Sequence, residues 1–147
     1  MRKVATFVLV LVGLFAFVGS ASADDGGRRF TTTLTGAAEV PGPGDPDGSG
    51  TAVIRLNPGQ EEVCWEIQVS DITLPATGAH IHVGTATQSG QVVVGLTPPD
   101  ANGVSSGCTS ASRELIKAIS KNPENYYVNI HTLPLYGAGA VRGQLGK

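Results

Sequence analysis

The chain reads as an all-β domain, an antiparallel Greek-key-like β-sandwich or barrel with one short helix. Three observations lead there. Apolar residues alternate with polar ones over short runs, as in Thr51–Leu56 and Glu62–Ser70. Valine, isoleucine and threonine dominate those runs, and turn-forming glycine and proline separate them, with 20 and 9 copies in the chain. One stretch, Ser110–Ser120, instead carries the 3.6-residue periodicity of a helix.

The first residues read as an address. Met1-Arg2-Lys3 is a basic head, Val4–Val18 is nearly all apolar, and Ala21-Ser22-Ala23 is a small-residue cleavage pattern. Residues 1–23 are therefore expected to be a secretory signal peptide, and residues 24–29 a polar, flexible tail. The apolar run is shorter than the roughly 20 residues that a membrane-spanning helix needs. The mature chain is expected to be secreted, with no membrane segment. Without Arg2 and Lys3 it holds eight basic and twelve acidic residues, a formal charge of −4. No basic stripe exists to displace counterions, so a nucleic-acid partner is not expected. An extracellular protein or cell-surface partner is.

Residues 30–147 form the domain. Arg29–Ala38 reads as the first strand and Gly42–Gly50 as a turn-rich loop. Thr51–Leu56 and Glu62–Ser70 form a hairpin about Asn57-Pro58-Gly59, with Val63, Trp65, Ile67 and Val69 on one face. Gly78–Gly84 is the next strand. Gln91–Leu96 is continuously apolar and reads as a strand covered on both faces. Thr97–Gly107 reads as a loop. The helix follows, with Leu115, Ile116 and Ile119 as its stripe and Ser110 or Ser112 as its cap. Tyr126–Thr132 and Ala140–Leu145 are the last strands, joined by a loop over Leu133–Gly139.

Two cysteines, Cys64 and Cys108, remain in a chain expected to meet an oxidising compartment, and a single disulfide is the simplest pairing. A metal–thiolate or reactive-thiol role is the competing reading, without the close spacing that thiolate sites use.

The three histidines carry the sharpest chemical signal. His80 and His82 are two residues apart on one strand, so both point to one face, about 6.6 Å apart at Cα. His131 lies on another strand. Three neutral imidazoles suit copper or zinc and leave a coordination position open. His80, His82 and His131 are thus the candidate metal ligands. The competing reading has all three bonding to loops at a sheet edge. Arg142 opens the closing strand and is the single candidate for a catalytic or anion-steering role, with pairing to a carboxylate or carbonyls as its structural alternative. No nucleophile motif or distinctive carboxylate pair is present, so the reading leans away from an enzyme.

Several runs, in order, also resemble a known module: Leu34-Thr-Gly-Ala-Ala-Glu-Val-Pro41, Gly50-Thr-Ala-Val53, Ala79-His-Ile-His82, Tyr127-Val-Asn-Ile-His-Thr132 and Ala140-Val-Arg-Gly-Gln-Leu145. Their pattern is similar to the CHRD domain, named after chordin and also found alone in exported bacterial proteins. The resemblance spans about Phe30 to Leu145. It implies a secreted β-rich module and no agreed activity. A looser resemblance links His80-Ile81-His82, His131 and Arg142 to the His-x-His copper strand, late copper histidine and active-site arginine of copper–zinc superoxide dismutases. Here three histidines stand against four copper ligands there, and the zinc-binding loop is missing. That resemblance implies copper alone, held by three protein ligands, and a dismutase-like activity as the enzymatic alternative. A purely structural or adhesion module is the third possibility.

Overall fold

The computed structural model describes residues 27–146; the expected signal peptide and Asp24 to Gly26 lie outside them. Eight strands form one antiparallel sheet, curled into a nearly closed barrel: β1 (Arg28–Thr35), β2 (Ser49–Asn57), β3 (Glu62–Ser70), β4 (Gly78–Val83), β5 (Val92–Leu96), β6 (Val104–Ser110), β7 (Tyr126–Thr132) and β8 (Tyr136–Gln144). Their spatial order is β5-β4-β7-β8-β1-β2-β3-β6. Chain neighbours β3 and β4, and β6 and β7, are therefore not paired, which gives crossover connections of the Greek-key kind.

Alternation fills the interior. Phe30 and Leu34 of β1, Ala52, Ile54 and Leu56 of β2, and Val63, Trp65, Ile67 and Val69 of β3 all turn inward. So do Ala79 and Ile81 of β4, Val128 and Ile130 of β7, and Val141 of β8. At roughly 25 cal/mol per Å² of apolar area buried, these side chains are the main favourable contribution to folding. The helix α1 (Arg113–Lys121) adds Ile116 and Ile119 to the same core. It starts where Ser112 Oγ accepts a bond from the Leu115 amide, with Glu114 in its first turn and Lys121 in its last. It ends at Asn122, before Pro123.

Four segments differ from the sequence reading. The first strand starts at Arg28, inside the expected tail, and stops at Thr35, where Gly36–Ala38 turns as a short 3-10 helix. The second half of the presumed loop 97–107 is strand β6, in register with β3 from Gln68↔Val104 to Glu62↔Ser110. Its serines, threonine and glycine lack the apolar alternation that marks a strand; β6 lies at one end of the sheet and is held by its backbone pairing with β3, by Cys108 and by Ser105. β5 is the opposite end strand and is not covered on both faces: Val94 and Leu96 are buried, but Val92 is 50% exposed. Finally, β8 begins at Tyr136, and Gly137 to Ala140 make an irregular bend between the pairs Thr132↔Tyr136 and Ile130↔Val141.

Cys64 and Cys108 face each other directly across β3 and β6, with their Cα atoms 4.0 Å apart and their sulphurs at a disulfide-bonding distance of 2.14 Å. The pair clasps two strands of the barrel. With both sulphurs engaged, the nearby Glu62 has no thiolate beside it to share a metal.

Candidate metal centre

With Ala79, Ile81, Val128, Ile130 and Val141 facing the core, the alternate residues of β4, β7 and β8 must face outward. Register then assembles a polar patch on that outer face. His80 pairs with Asn129, His82 with Tyr127, Gly78 with His131, and across the next interface Asn129 pairs with Arg142 and Tyr127 with Gln144. His131 therefore lies diagonal to His80, one pleat along. Gly78 leaves the space between them clear: a Cβ there would stand 3.2 Å from His80 Cε1 and 3.4 Å from His131 Cδ2. A bulge in the β4–β5 pairing falls at Ile81/His82, and the bend in β8 falls opposite His131, so both strands break regularity beside the cluster.

The three histidines do come together. Their ring centroids are 5.0 Å apart for His80–His131, 5.5 Å for His80–His82 and 5.8 Å for His82–His131. One nitrogen from each lies within 4.8 Å of the other two. The hydrogen bonds identify which nitrogens are free. His82 Nδ1 donates to the Gly90 carbonyl at 2.9 Å, and His131 Nδ1 donates to the Gly137 carbonyl at 3.1 Å. A carbonyl only accepts, so in both rings the proton sits on Nδ1 and the lone pair on Nε2. His82 Nε2, His131 Nε2 and His80 Nδ1 are buried and have no hydrogen-bond partner among the described residues. With one nitrogen of each ring already within 4.8 Å of the other two, bonds of about 2.0–2.1 Å to one ion would need only a modest inward shift of the rings.

Burial keeps the rings neutral. It pulls all three imidazoles below their ordinary pKa of 6.5 and is the largest cause in each. His80 is lowered further by His82, and His82 by Arg142; the Gly90 bond to His82 and the Gly137 bond to His131 act the other way. At pH 7 the group presents lone pairs, the form in which imidazole binds a metal.

Behind the histidines lies a layer whose assembly the sequence reading did not anticipate, although Arg142 within it was singled out and does bond to carbonyls. Tyr127 stacks on His82, with centroids 4.9 Å apart and planes 10° from parallel. Because β7 runs between β4 and β8, Arg142 approaches Tyr127 from the other side, its guanidinium carbon 3.4 Å from the ring centre. Arg142 is 1% exposed and donates through Nη2 to the carbonyls of Thr85 and Gln88, at 2.7 and 3.0 Å. Glu39 packs over the same face: Asn129 Nδ2 donates to its Oε2 at 3.3 Å. Gly139, at φ +155°, lets β8 pass it, since a Cβ there would fall 2.4 Å from that oxygen. The alternation of Tyr127, Asn129 and His131 against Val128 and Ile130 was the available signal for this layer.

Fold and cluster together define an all-β barrel module with three converging imidazoles on its outer face. The chain belongs to the CHRD domain family, whose family model matches residues 30–145. No curated protein and no solved structure matches it, so the likeness to copper–zinc superoxide dismutases gains no support from comparison.

Proposed function

We propose that the chain is an exported binding module that holds copper or zinc through His80 Nδ1, His82 Nε2 and His131 Nε2. One observation carries this reading: one nitrogen from each ring lies within 4.8 Å of the other two, and each ring has a buried nitrogen with no hydrogen-bond partner among the described residues. A buried polar atom left unpaired costs about 1–3 kcal/mol, and three at one point are accounted for by a shared ion. The reading of three histidines merely bonding to loops explains the Nδ1 atoms of His82 and His131, and leaves the inward nitrogens unexplained. Imidazole favours copper over zinc in raw affinity, so copper is the expected first choice where both are offered.

Export is supported by the sequence of residues 1–23 and by the Cys64–Cys108 pair, which persists in oxidising surroundings. No helix among the described residues is long and apolar enough to cross a membrane. The dismutase-like alternative needs Arg142 beside an open side of the metal. Its guanidinium is instead buried, bonded to two carbonyls and separated from His82 by the Tyr127 ring. The geometry therefore favours binding over that chemistry.

The test is metal analysis of the purified mature protein, with copper and zinc titrations of wild type, His82→Ala and His131→Ala. One equivalent per chain in wild type, with affinity collapsing in both variants, is expected. Equal uptake by wild type and variants, or none by wild type, would sink the proposal.

A further inference from the structure

We infer that Arg142 and Tyr127 are positioning residues for the His82 ligand, acting through the segment Gly84–Gln91. The inference extends the metal reading above, since it assigns the parts that aim one of the three nitrogens.

The segment connects β4 to β5 and passes over the outer face of β7 and β8. Arg142 Nη2 holds it at two points, the carbonyls of Thr85 and Gln88. Gln144 Nε2 holds a third, donating to the Gly84 carbonyl at 2.7 Å. The Gly90 amide donates to the Tyr127 hydroxyl at 3.1 Å, while the carbonyl of the same residue accepts the His82 Nδ1 proton. Tyr127 therefore bears on His82 in two ways: its ring stacks on the imidazole, and its hydroxyl holds the residue whose carbonyl selects the tautomer. Residue 90 must be glycine for this approach, because a Cβ there would fall 1.6 Å from the Val83 carbonyl oxygen.

Each link is ordinary, but the chain of them ends on one atom. If Gly90 moved, His82 Nδ1 would lose its acceptor, and the proton could reside on Nε2, where it blocks a metal. Outer-shell partners of this kind typically change metal affinity 10–100-fold when removed. A residue that only stabilised the barrel would lower stability without changing which nitrogen of His82 carries the proton.

Two measurements on the full mature chain decide the matter. The first is nitrogen-15 NMR of the metal-free histidines in wild type, Tyr127→Phe and Arg142→Lys. Wild-type His82 should show a protonated Nδ1 and a bare Nε2, and both variants should show a mixture of tautomers at His82. If Arg142→Lys does not fold, Tyr127→Phe alone decides. The second is a copper titration of Tyr127→Phe made alone and together with His82→Ala. About a tenfold loss of affinity is expected alone, and less than about a twofold further loss in the His82→Ala background. A wild-type tautomer in the variants, or equal losses in both backgrounds, overturns the inference. If wild type takes up no copper, the metal reading fails, and the tautomer measurement still tests the positioning.

Discussion

Asn129 and Glu39, ninety residues apart in sequence, meet on the outer face of the barrel, with the Asn129 amide donating to Glu39 Oε2 at 3.3 Å. Glu39 is 6% exposed, and burial lifts its carboxyl to a pKa of about 7, against the opposing pull of Arg142 and of the Asn129 bond. An unfolded chain returns it to about 4.5. Between these values the native state holds the proton that the unfolded state has lost, so stability falls as pH rises through that window. The loss amounts to roughly 3 kcal/mol by pH 8. Glu39→Gln should remove it. Denaturant titrations at pH 5 and pH 8 compare the two proteins, and an unchanged difference between the two pH values in the variant would contradict the assignment.

The histidines work in the opposite sense. Their native pKa values are held below 6.5 by burial, so protonation favours the unfolded chain and also competes with metal. Copper affinity is expected to fall on acidification at a lower pH than it would for exposed imidazoles, whose ordinary pKa is about 6.5. Competition titrations from pH 8 to pH 5 provide the check; a severalfold decline already between pH 7.5 and 6.5 would show that the rings titrate as exposed groups.

Joining Cys64 to Cys108 across a sequence separation of 44 closes a loop in the unfolded chain. In the chain-entropy account this stabilises by about 4 kcal/mol. The double variant Cys64→Ser, Cys108→Ser should lose an amount of that order in urea unfolding. A loss below about 1 kcal/mol would mean that β6 pairs with β3 as well without the clasp.

Trp65 provides a second probe of the β3–β6 pairing. Its indole N–H donates to Ser105 Oγ at 2.9 Å, and that hydroxyl donates onward to the Thr97 carbonyl at 2.6 Å. Ser105→Ala strands both groups, and a cost of about 1–3 kcal/mol follows. Because Trp65 is the single tryptophan, its fluorescence reports the unfolding directly. An unchanged midpoint would show that neither bond contributes.

Much of this arrangement was legible beforehand. The parity of His80 and His82, and the strand over Tyr126–Thr132, needed only the two-residue period. What did not show was register. Nothing local says that His131 pairs with Gly78, or that Asn129 pairs with both His80 and Arg142. Those pairings decide which polar residues form one patch. Glu39 reaches the patch from a loop with no periodicity at all, and strand β6 has too few apolar residues to announce itself. Arg142 was visible as a residue worth notice, but its engagement with Thr85 and Gln88 depends on a fold-back that spacing does not encode.

The imidazole cluster is built on the outside of the barrel, beneath segments 36–48, 84–91 and 133–139, and shares none of its side chains with the apolar packing within. Substitutions in those three coverings can retune what the cluster grips while the oily interior keeps its shape. A designer seeking a given ion could rewrite the roof and leave the walls standing.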